Sequence, residues 1–284
     1  MPIHALAVVD PAADVHPAAE VGPFCHVRGP VRLAAGVILH GHVSVFGRTT
    51  IGAGTQCFPG AVVGGDPQDL KFKGEDSETR IGQRCRIHEG VTINKGTAGG
   101  GMVTSIGDDC LLMAYCHIAH DCRLGDRVVI GNATQLAGHI VIGDRAIIGG
   151  MTGAHHFVSV GETSIVSAMC GIRYDLPPFV MAEGNPAEPR NINLIGMRRA
   201  GYSEAHIDRL REIFRVLYHD KTKPRSLAVV EARALVGQGS DPCHRLVSWL
   251  EDYLARSVKG RIQESERPPV VGGAPRRDDN GDGE

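Results

Sequence analysis

The chain has 284 residues, 22% of them charged, and a formal net charge of −2, so it lacks the basic excess that draws a protein onto nucleic acid. No run approaches 18 consecutive apolar residues, which excludes a membrane-spanning helix. The N-terminus, MPIHALAVVD, lacks the basic and apolar regions of a signal peptide, so a cytoplasmic protein is expected.

From residue 9 an apolar side chain returns at every sixth position: Val9, Val15, Val21, Val27, Leu33, Leu39, Val45, Ile51, Cys57 and Val63. The register resumes at Ile81, Ile87 and Ile93, shifts by one, and runs again from Ile106 through Leu112, Ile118, Leu124, Ile130, Leu136, Ile142, Ile148, Ala154, Val160 and Val166 to Ile172. A period of six fits neither a helix face nor an alternating strand. It fits stacked repeats: a parallel β-helix in which each hexad makes one short strand and a turn, and three hexads close a triangular coil. Aromatic residues are only 5% of the chain, as a thin prism of aliphatic side chains requires. Gly107, Gly125, Gly143 and Gly161 recur at the coil length of 18 residues and are expected to supply positive φ at tight corners. A second inward position, four residues after each apolar one, holds small or branched residues. Six of the eight cysteines (Cys25, Cys85, Cys110, Cys116, Cys122, Cys170) fall there, and no CxxC pair exists. They read as reduced core residues, with no disulfide and no bound metal expected.

The β-helix should run over about 3–190. Two segments leave its register, the mixed-charge 64–80 and the glycine-rich 94–105; loops ejected from a rigid scaffold are where binding usually happens. A phosphate cradle in the second loop is a weak reading, because no GK[ST] ending and no helix follow it. Prolines in DLPPFVMAEGNPAEP stop the coil after Ile172. A small α-helical domain should then occupy 196–262. Its first helix is capped by Ser203 and buries Ile207, Leu210, Phe214 and Leu217. A second starts near Ser226. A third has Asp241 as N-cap and Pro242 in its first turn, with Leu246, Trp249, Leu250, Tyr253 and Leu254 inward. Residues 263–284, rich in Pro, Gly and charge, are expected to be disordered.

Histidines cluster at His117, His120, His139, His155 and His156. The hexad register stacks His120, Gly138 and His156 in one outward row. The missing side chain at Gly138 opens a gap beside an imidazole, a combination suited to acyl transfer: a base takes a proton and a backbone N–H holds an oxyanion. Asp121 follows His120 directly. On a flat strand the two would point to opposite faces; if a corner turns Asp121 back, it can fix the histidine tautomer.

These segments resemble a known family. GGDPQDLKFKGE (64–75), LLMAYCHIAHDC (111–122), AGHIVIGDRAIIGGMTGAHHF (137–157) and PPFVMAEGNPAEPRNINLIGMRRAGYS (177–203) are similar to the UDP-N-acetylglucosamine 3-O-acyltransferases that begin lipid A synthesis, with coverage over about 3–262. The resemblance implies a left-handed coil, a homotrimer with sites between neighbouring prisms, and no cofactor. It implies His120 as general base, Asp121 as its orienting acid and the Gly138 N–H as oxyanion donor. Asp69 and Lys71 would contact the sugar nucleotide, and His117, His139, His155 and His156 would line the substrate, although the family often has Gln where His156 stands. Asn193 and Arg199 would hold the nucleotide and its diphosphate. Ala168 matches a residue that limits acyl length, with Ser167 and Met169 beside it leaving the length open. Ile195 stands where the family often has an acid. The donor would be a 3-hydroxyacyl chain on acyl carrier protein, an acidic partner that Arg198, Arg199, Arg209, Arg211 and Arg215 could receive.

Three other readings compete. A sister N-acyltransferase family carries a uridine-binding domain ahead of its hexads, for which hexads starting by Val9 leave no room. A γ-type carbonic anhydrase shares the coil and trimer, and would draft His88, His117 and His120 as metal ligands, though His117 and His120 are not in that family's usual spacing. A non-catalytic scaffold fits the repeats but leaves the His120–Gly138–His156 row unexplained.

Overall fold

The computed structural model describes residues 3–218, 225–236 and 242–255. Its first unit, residues 1–204, is a three-sided prism. Short strands fall into three sheets of nine, eight and ten strands among the described residues. Every pairing but that of the last strand is parallel, in register with the hexads. On one face Val27, Val45, Val63, Ile93, Ile118, Leu136, Ala154 and Ile172 stack rung on rung, and all are buried. The one-residue shift in register costs the coil nothing, since Ile81 still pairs with Ile106; the extra residues leave as loops. The coil is interrupted between strands Val62–Gly65 and Glu78–Ile81 and again between Thr92–Asn94 and Val103–Ile106.

All eight cysteines are free and buried. Burial pushes the thiols of Cys57, Cys116 and Cys122 up to about 12, so they remain protonated and inert.

The corner glycines serve a different purpose from the one expected. Gly107, Gly125, Gly143 and Gly161 do not take positive φ. The left-handed residues come two positions later, at Asp109, Arg127, Arg145 and Thr163, with φ of 56–58°. A Cβ at Gly107 would lie 2.6 Å from the Gly125 carbonyl carbon, and one at Gly161 would lie 2.2 Å from the Pro178 nitrogen. Neighbouring coils approach too closely there for any side chain. Along the same corner an aspartate ladder caps turn amides: Asp126 accepts from the Asp108 N–H at 2.8 Å and Asp144 from the Asp126 N–H at 2.9 Å.

Strand Val180–Glu183 still pairs in parallel with Ile165–Val166, and then folds back antiparallel onto Glu188–Ile192. A short helix α1 (Leu194–Arg199), absent from the sequence reading, follows, with Asn193 as N-cap. Helix α2 (Glu204–Tyr218) begins directly after Ser203 and buries Ile207, Leu210, Ile213, Phe214 and Leu217. The second unit also holds α3 (Arg225–Leu235) and α4 (Pro242–Ala255). The buried stripe of α4 is Cys243, Leu246, Val247 and Leu250, with Trp249 only half-buried. The expected cap Asp241, the side chains of Tyr253 and Leu254, and the tail 263–284 lie outside the described residues.

Ile130 is wholly buried, stacked between Leu112 and Ile148. Ile130→Ala should destabilise the chain by about 2–5 kcal/mol; a chemical-denaturation midpoint equal to that of the parent would contradict this packing.

Candidate active site

The site grows from one corner of the coil. Along the sheet beside it the outward residues of successive rungs are Thr92, His117, Gln135, Gly153 and Gly171. Side chains vanish at the two glycines, and a cleft of about 470 Å³ lies over them, walled by His117, His120, Gly138, His155 and His156 together with Gln68, Asn94, Arg173 and Asn185.

Asp121 occupies the left-handed position of the corner, φ 62°. That conformation undoes the alternation of an extended strand, so adjacent side chains meet: Asp121 Oδ2 lies 2.8 Å from His120 Nδ1. A carboxylate only accepts, so Nδ1 carries the proton and a neutral ring keeps its lone pair on Nε2. The rest of the carboxylate is also used. Thr97 donates its N–H to Oδ1 at 2.9 Å and its Oγ1–H to Oδ2 at 2.6 Å, and the Asp121 N–H donates to Thr104 Oγ1 at 2.7 Å. His120 points outward from the prism, as its register requires, yet is only 7% exposed.

The other edge of the ring faces Gly138, where a Cβ would lie 2.8 Å from Nε2. Among the described residues no backbone acceptor meets the Gly138 N–H, in contrast to the aspartate-capped amides of the sister corner. His139 donates its N–H to the His120 carbonyl at 3.0 Å, sets its ring edge-on to His120 at 5.0 Å and stacks on Phe157 at 4.3 Å. Asp69 reaches in from the first loop, its Oδ2 4.0 Å from His120 Nε2. The Lys71 N–H, with help from the nearby His120, holds the Asp69 carboxyl below its usual range.

His117 lies with Nδ1 2.7 Å from Thr92 Oγ1. Burial, and then the neighbouring His120, push its proton affinity down. His139 is lowered chiefly by burial, with Asp121 opposing and His120 adding to the shift.

Thus Asp69, His117, His120, Asp121, Gly138, His139, His155 and His156 gather at one corner. Of these, Asp69, Asp121 and His139 are not among the residues lining the cleft, and four other expected residues lie outside the group. Lys71 is exposed in the first loop. Asn193 is buried and engaged at both ends, its Oδ1 accepting from the Gly196 N–H and its Nδ2 donating to the Thr163 carbonyl. Arg199 is exposed on α1, and Ala168 sits exposed on a different corner. The sequence reading missed Thr97 and Thr104. Thr104 occupies an inward hexad position that reads as plain core, and Thr97 sits in a loop whose glycines suggested phosphate instead.

His88 belongs to another sheet, stacked on Phe58 at 4.5 Å and 3.2 Å from Glu89. Among the described residues, the side chains close enough to share a metal ion are His120, Asp121 and His139, but the Asp121 oxygens already accept three hydrogen bonds.

Two family models match, one described as UDP-N-acetylglucosamine O-acyltransferase, domain 2, over residues 175–252, and one as bacterial transferase hexapeptide over 104–138. The acyl-[acyl-carrier-protein]–UDP-N-acetylglucosamine O-acyltransferase of Rhizobium johnstonii is 45% identical over 89% of this chain and 91% of its own length. The chain belongs to the UDP-N-acetylglucosamine O-acyltransferase family. Among solved structures, LpxA from Acinetobacter baumannii superposes with a TM-score of 0.84 at 37% identity, covering 89% of this chain and 97% of that one. The O-acyltransferase of Moraxella catarrhalis superposes with 0.84 at 36%, covering 89% and 97%. The fold is the left-handed parallel β-helix with C-terminal helices that the repeats and the resemblance implied. Membership in this O-acyltransferase family sets aside the N-acyltransferase, carbonic-anhydrase and scaffold readings.

Unfolding returns His117 and His139 to ordinary proton affinity, so below the usual 6.5 the unfolded chain binds more protons than the folded one. Stability should therefore fall as pH drops from 6.5 toward each depressed value and be indifferent to these rings above it. NMR titration should place both midpoints below 6.5; a midpoint at or above it would contradict the burial described.

Proposed function

We propose that the chain transfers a 3-hydroxyacyl group from acyl carrier protein to the 3-hydroxyl of UDP-N-acetylglucosamine, the first step of lipid A synthesis, acting in the cytoplasm as a homotrimer. One observation carries this reading: a buried imidazole held at Nδ1 by Asp121 presents Nε2 to a cleft beside the Gly138 N–H.

His120 Nε2 takes the proton of the sugar 3-hydroxyl as its oxygen attacks the thioester carbonyl carbon. Asp121 stabilises the imidazolium that forms. The Gly138 N–H donates to the oxyanion of the tetrahedral intermediate. Collapse re-forms the carbonyl, breaks the C–S bond and expels the carrier thiolate, which recovers the proton from Nε2. Asp69, anionic and close to Nε2, would hold a sugar hydroxyl there, with Lys71 nearby. His117 and His139, with lowered proton affinity, stay neutral near neutral pH and offer hydrogen bonds without competing charge; His155 and His156 complete the lining.

Asn193 and Arg199 would meet the nucleotide. For Asn193 this asks a residue already spent on capping α1 to contribute through its neighbours' backbone. Ile195, exposed on α1, would leave one polar contact of the family unmade. Ala168 would limit the acyl chain. An acidic carrier would meet arginines among Arg198, Arg199, Arg209, Arg211 and Arg215, of which Arg198 is paired with Glu204 and Arg211 with Asp208. No nucleic acid is expected as a partner.

Incubation of the purified chain with UDP-N-acetylglucosamine and a panel of 3-hydroxyacyl carrier proteins should yield an acylated sugar nucleotide by mass spectrometry, with or without chelator. His120→Ala should lower kcat by roughly 100–10,000-fold without loss of fold. No product with any donor, or an activity abolished by chelator, would contradict the proposal.

A further inference from the structure

The glycine-rich loop between Asn94 and Val103 had suggested a phosphate cradle, but its glycines do something else. A Cβ at Gly100 would lie 2.0 Å from the Asp121 Cγ, and one at Gly96 would lie 2.1 Å from the Val103 nitrogen. The loop is small-sided because it crosses itself and lies flat on the Asp121 carboxylate. Its one polar side chain at that contact is Thr97, 5% exposed. Every polar group of Thr97 is engaged. Its N–H and Oγ1–H go to the two oxygens of Asp121, and its carbonyl accepts from the Gly100 N–H at 3.1 Å and the Met102 N–H at 2.9 Å.

We infer that Thr97 is a positioning residue for the reaction, and that the glycine-rich loop is a clamp that delivers it to Asp121. The inference rests on the acyl-transfer reading above. The Thr97 hydroxyl donates to Oδ2, the same oxygen that receives the His120 Nδ1 proton. Two donors converging on one oxygen fix the rotation of the carboxylate. With the hydroxyl gone, Oδ1 keeps its backbone donor while Oδ2 is held only by the imidazole, so carboxylate and ring can turn together. Thr97 is not part of the cleft wall, so its loss should act on the chemical step and spare sugar-nucleotide binding. A small displacement of a reacting group is enough to cost about 100-fold.

The test compares the full-length parent with Thr97→Val, which keeps the shape and removes the hydroxyl, and with Thr97→Ser, which restores it. His120→Ala is carried alongside. Three properties are measured: kcat and KM for UDP-N-acetylglucosamine, calorimetric affinity for that nucleotide, and the NMR signal of the His120 Nδ1 proton. Thr97→Val should lose roughly 10–100-fold in kcat with KM and affinity changed by less than about twofold. Its Nδ1 proton signal should broaden or vanish, and Thr97→Ser should recover both. A Thr97→Val with parental kcat and an unchanged Nδ1 signal overturns the inference. So does a Thr97→Ser as impaired as Thr97→Val, since the hydroxyl would then not be the cause. An inert parent, or a fully active His120→Ala, would sink the acyl-transfer reading instead; the Nδ1 signal then still decides whether Thr97 orders the pair.

Discussion

Coils of a parallel β-helix stack about 4.8 Å apart, and that distance decides what each position of the repeat can hold. Inside, it leaves room for one aliphatic and one small side chain per hexad, so the cysteines of the coil sit buried. At the corner of Gly107 and Gly125 it removes the side chain altogether, because a Cβ would strike the next coil. Outside, it sets chosen residues directly above one another. His120 and Gly138 therefore stand one coil apart with nothing between them but the space a Cβ would have filled.

The same corner geometry supplies the second half of the site. A left-handed residue ends most of the turns, and on most corners it is simply structural. At Asp121 it swings a carboxylate back under the preceding imidazole. A buried carboxylate is costly unless its oxygens are hydrogen-bonded, and the coil alone cannot supply enough donors at a corner. The ejected loop does so: Thr97 arrives from it with two. The loops are thus part of the site's electrostatics, one bringing Asp69 to the Nε2 edge and the other bringing Thr97 to the Nδ1 edge.

The period of six exposed the coil, its two interruptions and the row of His120, Gly138 and His156, because the repeat fixes both depth and direction of each side chain. It could not show that Asp121 is left-handed, since the turn conformation is shared by residues as different as Arg127 and Thr163. The spacing of Gly107, Gly125, Gly143 and Gly161 was legible, but its reason was not: close approach between coils and positive φ both select glycine. Thr97 was hidden because its partner is distant in sequence and its loop has no period. Helix α1 is too short for a periodic signal, so Asn193 could not be read as a cap. In α4 the apolar residues Trp249, Leu246 and Leu250 fit one stripe on paper, while the fold buries Cys243 and Val247 instead of the larger ring.

The central claim is that a corner carboxylate fixes the tautomer of the base beside it. Asp121→Asn tests it most directly, because asparagine has the same shape and tolerates the left-handed conformation, while its amide can turn an N–H toward the ring. The account predicts that kcat falls by at least ~100-fold while the unfolding midpoint stays near that of the parent. A variant that unfolds like the parent and retains most of its kcat would show that Asp121 serves the fold alone.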